Sequence, residues 1–282
     1  MNVTARRQRF RALLQGNECV YTGSVWDAIS ARIAEDLGYE VGMLGGSVAS
    51  MAAIGAPDLM GLTLTEFAHQ IYRITRAGDL SLLVDADDGY GNAVNVMRTV
   101  TELENAGVAG LTLEDTVLPP AFGANGETRL ISLEEGVGKM KAALEARTDP
   151  EMMIIGRTSA AKVVDLDESI RRVRAYADAG VDAVFPIGVD TPAQLEAVSA
   201  AVNVPLITGA IAERDYMASR GVRVVVQSHA PFAAAVQAVY DTLSALRQGT
   251  SVAKLTGVAN GELMKKVTRQ ANHNDWMERF LT

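Results

Sequence analysis

The sequence lacks several features that would place it in other classes of protein. It contains one cysteine, Cys19, among 282 residues, which excludes an internal disulfide and a zinc site made of several thiolates. Disulfide-rich chains are typical of secreted proteins, so the cytoplasm is the expected compartment.

Positive charge and long apolar runs are also scarce. Lys and Arg number 26 against 34 Asp and Glu, which gives a net charge of −8. Because no block of basic residues is present, neither nucleic acid nor an anionic membrane is expected as a partner. No apolar run approaches the roughly 20 residues of a membrane span. No apolar segment follows the basic residues at 6–11, so they predict a helix rather than a secretory signal.

The chain does contain enough apolar sequence for a large core. Hydrophobic residues make up 48% of it and charged residues 21%, a composition typical of a folded globular protein. No linker rich in Pro or Ser interrupts it. We therefore expect one domain over residues 1–282, with an N-terminal helix at about 1–18 and a C-terminal helical tail at about 248–282.

Short apolar runs alternate with helical patterns along almost the whole chain. The runs are continuous, as in parallel strands that are covered on both faces. Predicted strands lie at 20–24, 41–44, 81–84, 110–113, 152–155, 183–187, 205–208 and 223–226. About eight such units predict an α/β fold, the (β/α)8 TIM barrel. The alternative is a doubly wound open sheet, whose Gly-rich phosphate turn is missing after the first strand.

Carboxylates follow two neighbouring strands at the points where these strands are predicted to end. Asp85 and Asp87 follow one strand, and Glu114 follows the next. Several buried like charges need a cation, and oxygen ligands without His or Cys favour Mg²⁺ or Mn²⁺ over Zn²⁺. These three residues are therefore the predicted metal site. The alternative is that they cap helices or pair with Arg157.

Other predicted strand ends offer groups for an anionic substrate. Arg157 suits a two-point grip on a carboxylate or phosphate, with a salt bridge to Glu114 as an equal alternative. Gly46 and Ser47 form either a tight turn or a place where backbone N–H groups approach a ligand. His229, after the last strand, is a candidate substrate contact or proton carrier. Trp26, after the first strand, is a further candidate for the substrate pocket.

Two absences further limit the classes of enzyme to which the chain could belong. No Lys follows a predicted strand, which argues against an aldolase that works through a Schiff base, since that reaction needs a desolvated lysine in the pocket. The chain also lacks the Gly-x-Ser-x-Gly elbow of the α/β-hydrolases.

Four segments together resemble the isocitrate lyase/phosphoenolpyruvate mutase superfamily. They are Ser24 to Arg32, Gly45-Gly46-Ser47, Asp85 to Gly91, and Leu113-Glu114-Asp115. Within that superfamily, the run from Gly89 to Val100 is most similar to the oxaloacetate decarboxylase group. The resemblance covers residues from about 10 to 245.

The resemblance implies a (β/α)8 barrel, Mg²⁺ and a small α-keto or α-hydroxy dicarboxylate substrate. It also implies a homotetramer, commonly with C-terminal helices exchanged between subunits. By position, Asp85 would be the direct metal ligand, and Asp87 and Glu114 would hold waters of the metal. Ser47 and Arg157 would bind the substrate carboxylate, and His229 would contact the substrate.

The loop at Thr116–Leu130, predicted to lie over the active-site face as a lid, differs among members of the superfamily. Isocitrate and methylisocitrate lyases carry a Lys-x-Cys-Gly-His segment there, and the phosphonate enzymes carry a Lys and an Asn. This loop has no Cys, Lys or His, which favours the decarboxylase group. The chain departs from that group at Asp88, where the decarboxylases have His; the change adds a carboxylate beside the predicted metal site.

The predicted function is Mg²⁺-dependent decarboxylation of oxaloacetate, or of a similar β-keto acid, to pyruvate and CO₂ through a metal-stabilised enolate. Asp85, Arg157 and His229 are the predicted catalytic residues. Three alternatives stay open: a carbon–carbon lyase acting on a substituted malate or an isocitrate-like acid, a phosphonopyruvate hydrolase, and a barrel that binds a keto acid without catalysis.

Overall fold

The structure is a computed structural model that describes residues 2–119 and 128–281. The chain divides into two compact units, Met1–Ser228 and His229–Thr282. The expectation of a single domain over the whole chain stays a prediction.

The first unit is built on a nine-stranded sheet whose strands all pair in parallel. In chain order the strands are β1 Val20–Tyr21, β2 Gly23–Ser24, β3 Val41–Leu44, β4 Ser81–Asp85, β5 Gly110–Glu114, β6 Met153–Thr158, β7 Ala183–Pro186, β8 Leu206–Thr208 and β9 Val222–Val225.

The sheet curls round into a nearly closed barrel. Thr22 alone separates β1 from β2; β1 pairs with β9 on one side, and β2 pairs with β3 on the other. One stretch of chain therefore joins the first and last strands of the sheet. This arrangement confirms the predicted TIM-barrel fold, and the doubly wound alternative is wrong.

Helices alternate with the strands of this unit. They are α1 Val3–Gln15, α2 Ala28–Asp36, α3 Gly46–Ile54, α4 Leu64–Thr75, α5 Ala93–Ala106, α6 Leu133–Ala146, α7 Ala160–Val163, α8 Leu166–Ala179, α9 Pro192–Ser199 and α10 Arg214–Ser219. Gly107 and Gly180 end α5 and α8 in the left-handed conformation, which glycine adopts without strain. The chain can thus turn at once into the next strand.

Successive strand residues point to opposite faces of the sheet and so enter two separate apolar clusters. Inward-facing residues such as Met43 and Ile155 form one cluster with Phe10 and Leu14 of α1. Phe10 lies against Gly110, the first residue of β5. The N-terminal helix therefore closes the end of the barrel where the strands begin, and leaves the opposite end to the strand-end carboxylates.

All the regular secondary structure described in the second unit is helical. It contains α11 Ala230–Arg247, a short 3-10 helix Val252–Lys254, α12 Gly261–Thr268 and α13 Gln270–Phe280. The sequence predicts one helical stretch over the last two of these helices. The structure breaks it at Arg269, whose φ of 59° is left-handed and ends α12. Within the described residues, none of the helices is long and apolar enough to cross a membrane.

Candidate active site

The carboxyl ends of three adjacent strands bring two carboxylates and one guanidinium together. Asp85 ends β4 and Glu114 ends β5, while Arg157 of β6 lies in register with Glu114. Arg157 Nη1 forms an ion pair with Asp85. Arg157 Nε lies 3.1 Å from Glu114 Oε2, as an ion pair rather than an aligned hydrogen bond. In this position, the Arg157 side chain can serve as a structural salt bridge and can also bind an anionic group of a substrate.

The carboxylate of Asp85 is oriented on its other oxygen as well. Asp85 Oδ1 accepts a hydrogen bond from Thr112 Oγ1 at 3.0 Å and another from the Asp87 backbone N at 3.3 Å. Thr112 lies opposite Asp85 in the register of β4 and β5. A carboxylate fixed on both oxygens presents its charge in one direction, which favours a defined metal site.

Asp87 lies in a left-handed turn, with a φ of 48°. Its backbone carbonyl accepts a hydrogen bond from the Glu114 backbone N at 2.9 Å, so the turn is attached to the end of β5. Its carboxylate packs against Gly46, where an added Cβ would stand 2.6 Å from Asp87 Oδ1. A side chain at Gly46 would therefore displace this carboxylate. Ser47, the next residue of α3, is half-buried.

Burial and crowding raise the pKa of two of these carboxyls. Burial raises the pKa of Asp87 to about 9, with further increases from the charges of Asp85, Glu114 and Asp58. Burial also raises the pKa of Glu114 to about 7; Arg157 opposes this shift and Asp85 adds to it. One guanidinium therefore does not neutralise the cluster, and a cation would be stabilised there.

Arg157 keeps its charge in this setting. Burial acts to lower its pKa, but the charges of Asp85 and Glu114 outweigh that effect and hold the pKa above its ordinary value. A permanently charged guanidinium at the centre of the site suits an anionic substrate group.

The raised pKa of Asp87 predicts that the metal-free protein loses stability as pH rises. Between its ordinary pKa of 3.8 and the folded-state pKa of about 9, the folded protein holds a proton that the unfolded chain has released. The free energy of unfolding therefore falls with pH in this window. Thermal unfolding in EDTA should give a lower Tm at pH 8.5 than at pH 6, and Asp87→Asn should remove most of the difference. A wild-type Tm that rises over this range would contradict the assignment.

Asp58 is a fourth carboxylate of the cluster that the sequence analysis missed. It lies in the segment between α3 and α4 and lines the same small cavity as Gly46, Asp87 and Tyr90. Burial raises its pKa, and the charge of Asp85 raises it further. It follows no strand directly, so a search limited to strand ends passes over it. In the sequence it stands out only as the one acid between β3 and α4.

Two acids that are adjacent in sequence to predicted metal residues have structural partners. Asp88 accepts a hydrogen bond from the Tyr90 backbone N at 2.9 Å, and its Oδ2 lies 3.9 Å from Lys139 Nζ. Asp115 is fully buried and bonds the Tyr176 hydroxyl at 2.6 Å and Arg172 Nη1 at 2.9 Å. Because Asp88 faces a lysine, its charge is compensated locally.

Trp26 and His229 are the remaining predicted substrate residues. Trp26 is half-buried after β2, and its backbone carbonyl accepts a hydrogen bond from Gln70 Nε2 at 2.9 Å. His229 is the first residue of the second unit and directly precedes α11. The substrate contacts of both side chains stay predictions.

The predicted lid is described only at its two ends. Thr116 and Leu130 form an antiparallel bridge, and the Val117 backbone N donates to the Arg129 carbonyl at 2.7 Å. Residues 120–127 lie outside the described residues, so the role of the loop as a lid stays a prediction.

Comparison with known proteins identifies the family. The family described as phosphoenolpyruvate phosphomutase matches residues 10–247. The chain belongs to this family. The match confirms the superfamily resemblance carried by the strand-end motifs, since most of the barrel lies within the matched residues.

Proteins that are similar to this chain carry several names. A protein of Bradyrhizobium diazoefficiens named oxaloacetate decarboxylase is 56% identical over 275 residues, which cover 96% of this chain and 95% of the relative. A structure of oxaloacetate acetylhydrolase with the inhibitor 3,3-difluorooxalacetate has a TM-score of 0.87 at 26% identity and covers 98% of this chain and 97% of its own. A structure of phosphonopyruvate hydrolase with oxalate and Mg²⁺ has a TM-score of 0.87 at 26% identity. This match covers 98% of this chain and 99% of the hydrolase chain.

The residues of this phosphoenolpyruvate phosphomutase family member fit a magnesium ion by their chemistry. Within residues 2–119 and 128–281, no group of three or more His, Cys, Asp or Glu side chains forms a ready-made metal cage. Mg²⁺ does not need one, since it usually keeps several waters and binds one or two carboxylates directly. The donors present are all carboxylate oxygens, and burial, with a smaller contribution from the neighbouring carboxylate charges, raises the pKa of Asp87 and of Glu114.

Proposed function

We propose that this protein is a Mg²⁺-dependent decarboxylase that converts oxaloacetate, or a similar β-keto acid, to pyruvate and CO₂. The observation that carries the proposal is the Asp85–Arg157–Glu114 cluster at the carboxyl ends of β4 to β6. Such a cluster offers oxygen ligands to a cation and a guanidinium to an anion, as a metal-chelating keto acid requires. The name of the relative at 56% identity supports the choice of substrate.

Asp85 would hold Mg²⁺ directly, and Asp87, Glu114 and Asp58 would bind its waters. Mn²⁺ would be accepted by the same oxygen ligands. When bound, the metal supplies Lewis-acid chemistry, which polarises the keto oxygen and stabilises the negative charge that develops there.

The protein's own groups bind and orient the acid. Arg157 would bind the carboxylate next to the keto group, helped by Ser47 and by the backbone N–H groups of Gly46 and Ser47 at the start of α3, which have no partner within the helix. Trp26 and His229 would complete the substrate pocket. This orientation leaves the far carboxylate free to depart.

The reaction itself needs little from the side chains. The bond between C3 and the far carboxylate breaks, CO₂ leaves, and the bonding electron pair moves toward the keto group. A proton from water then completes pyruvate at C3. The predicted loop contains no Cys, Lys or His, which supports water as the proton source.

A product assay on a small substrate panel tests the proposal. Oxaloacetate, 2-methylisocitrate, a dialkylmalate and phosphonopyruvate are each incubated with enzyme and Mg²⁺. We expect equimolar pyruvate and CO₂ from oxaloacetate, well above the rate with Mg²⁺ alone. Oxalate with acetate would instead indicate an acetylhydrolase, phosphate a phosphonopyruvate hydrolase, and cleavage of a malate or isocitrate a lyase. Binding without turnover would indicate a barrel with no catalytic role.

We also propose that the chain forms a homotetramer, in the cytoplasm as its single cysteine suggests. Helix α11 contains no buried residue. Its exposed apolar residues recur at helical spacing, as Val236, Val239, Tyr240, Leu243 and Leu246. A continuous apolar stripe of this kind supports burial against another surface, here that of a second copy.

Light scattering after size-exclusion chromatography should give four times the chain mass of 30.0 kDa. Val239→Asp with Leu243→Asp should lower that mass, because each places a charge in the apolar stripe. Ala234→Asp, at an exposed position of the opposite face, should leave it unchanged. A monomeric wild-type protein would contradict the tetramer without affecting the reaction.

A further inference from the structure

The segment at residues 85–91, which contains the proposed metal residues Asp85 and Asp87, has an unusual backbone. Asp87 and Tyr90 have φ angles of 48° and 62°, and Gly89 and Gly91 have φ angles of 80° and 138°. Left-handed conformations at residues other than glycine persist only where the surroundings hold them. The side chains that hold this segment therefore bear on where the Asp87 carboxylate lies.

Three neighbouring elements bind the backbone of this segment. The Glu114 backbone N at the end of β5 donates to the Asp87 carbonyl at 2.9 Å. Thr99 Oγ1 of α5 donates to the Gly89 carbonyl at 2.9 Å. Between these two, Lys139 Nζ of α6 donates to the Asp88 carbonyl at 2.9 Å. Three consecutive peptide groups are thus held from three directions.

Burial of the Lys139 ammonium group at this position costs desolvation free energy. Lys139 is only 2% exposed, and a buried ammonium is destabilising unless it is paired and hydrogen-bonded. Its charge faces the Asp88 carboxylate, whose Oδ2 is 3.9 Å away, and its hydrogen bond goes to the carbonyl of the same residue. Asp88 in turn accepts a hydrogen bond from the Tyr90 backbone N at 2.9 Å. The Lys139–Asp88 pair therefore connects α6 to the turn that follows Asp87.

The position of Asp87 depends on this interaction between Lys139 and Asp88. Its carboxylate lies against Gly46, with no room for a Cβ between them, and the peptide that follows it is the one Lys139 binds. If that peptide rotates, the left-handed turn relaxes and the carboxylate leaves the cluster. Groups that orient a metal's ligands typically alter metal affinity by about 10- to 100-fold when removed.

We propose that Lys139 is a positioning residue that, together with Asp88, holds the Asp87 carboxylate in place for the divalent cation. The inference rests on the proposed function, since it assigns Asp87 to a cation site. It also gives Asp88 a defined role: it neutralises Lys139 and makes no contact with the metal. Neither residue touches the substrate.

Mn²⁺ binding, followed by the EPR signal of the free ion, tests the inference without turnover. Lys139→Met should weaken Mn²⁺ binding by about tenfold or more. Lys141→Met is the matched control, because it makes the same change at an exposed position of the same helix, and should bind as the wild type does. Far-UV circular dichroism at the assay temperature confirms that each variant is folded. Excess Mg²⁺ should restore much of the oxaloacetate turnover of Lys139→Met.

The double variant Asp88→Asn/Lys139→Met covers the case in which Lys139→Met does not fold. It leaves no buried charge unpaired, yet it lacks the hydrogen bond to the Asp88 carbonyl, so its Mn²⁺ affinity should also fall about tenfold or more. Folded variants with wild-type Mn²⁺ affinity would overturn the inference and leave the proposed function intact. A wild-type protein that binds no Mn²⁺ would remove the metal site and this inference together.

Discussion

Asp85→Ala should abolish the Mg²⁺-dependent release of CO₂ from oxaloacetate, with a fall in kcat/KM of about 10³-fold. Two losses combine. The proposed metal loses its direct ligand, and Arg157 loses one of its two carboxylate partners. Coupled detection of pyruvate, with the Mg²⁺-only rate subtracted, measures the effect. Mn²⁺ binding should be lost in parallel.

A matched variant separates the metal role of Asp85 from its role as an arginine partner. Asp149 pairs with Arg7 of α1 at 2.6 Å, on the side of the barrel where the strands begin. Asp149→Ala should lower stability but keep turnover and Mn²⁺ affinity. If Asp85→Ala retains turnover that EDTA still inhibits, the assignment of Asp85 to the metal is wrong.

Arg157→Met should produce a similar loss of turnover through a different step. The guanidinium is the proposed contact of the substrate carboxylate, so KM for oxaloacetate should rise, and kcat/KM should fall by about 10²- to 10³-fold. Mn²⁺ binding should persist, because the variant frees Asp85 and Glu114 from their ion pairs with Arg157. The two measurements together therefore distinguish Arg157→Met from Asp85→Ala.

Arg157→Lys provides the control for charge alone. The ammonium keeps the positive charge but lacks the planar fork that serves two carboxylates and a substrate at once. It should recover only part of the lost turnover. An unchanged KM in Arg157→Met would exclude this residue as the substrate contact and leave it a structural bridge.

The strands and the grouping of the strand-end acids could be predicted because their signal is local. Continuous apolar runs mark buried parallel strands wherever the chain later places them, and β4 and β5 extend by one residue beyond their predicted ends to include Asp85 and Glu114. In a barrel of parallel strands, such ends converge on one face. The grouping of these acids with Arg157 therefore followed from the fold class alone.

Two charged residues near the cluster could not be predicted in this way. Asp58 follows no strand, and no rule of periodicity brings it to the cavity that it shares with Asp87. Lys139 lies within a helix, as its sequence pattern indicates, but its side chain reaches a residue 51 positions earlier in the chain. Sequence patterns describe which face a residue takes in its own element and do not describe which distant group it meets.

The sequence by itself thus determined the barrel, its family, and the type and order of the charged groups at the strand ends. Only the tertiary structure decided which of these charges act together. Asp85 and Arg157, 72 positions apart, form an ion pair, whereas Asp88 and Asp115, each beside a predicted metal residue, face Lys139 and Arg172. The reason is that Coulombic attraction and burial depend on distance in space, which helix packing sets around each strand end.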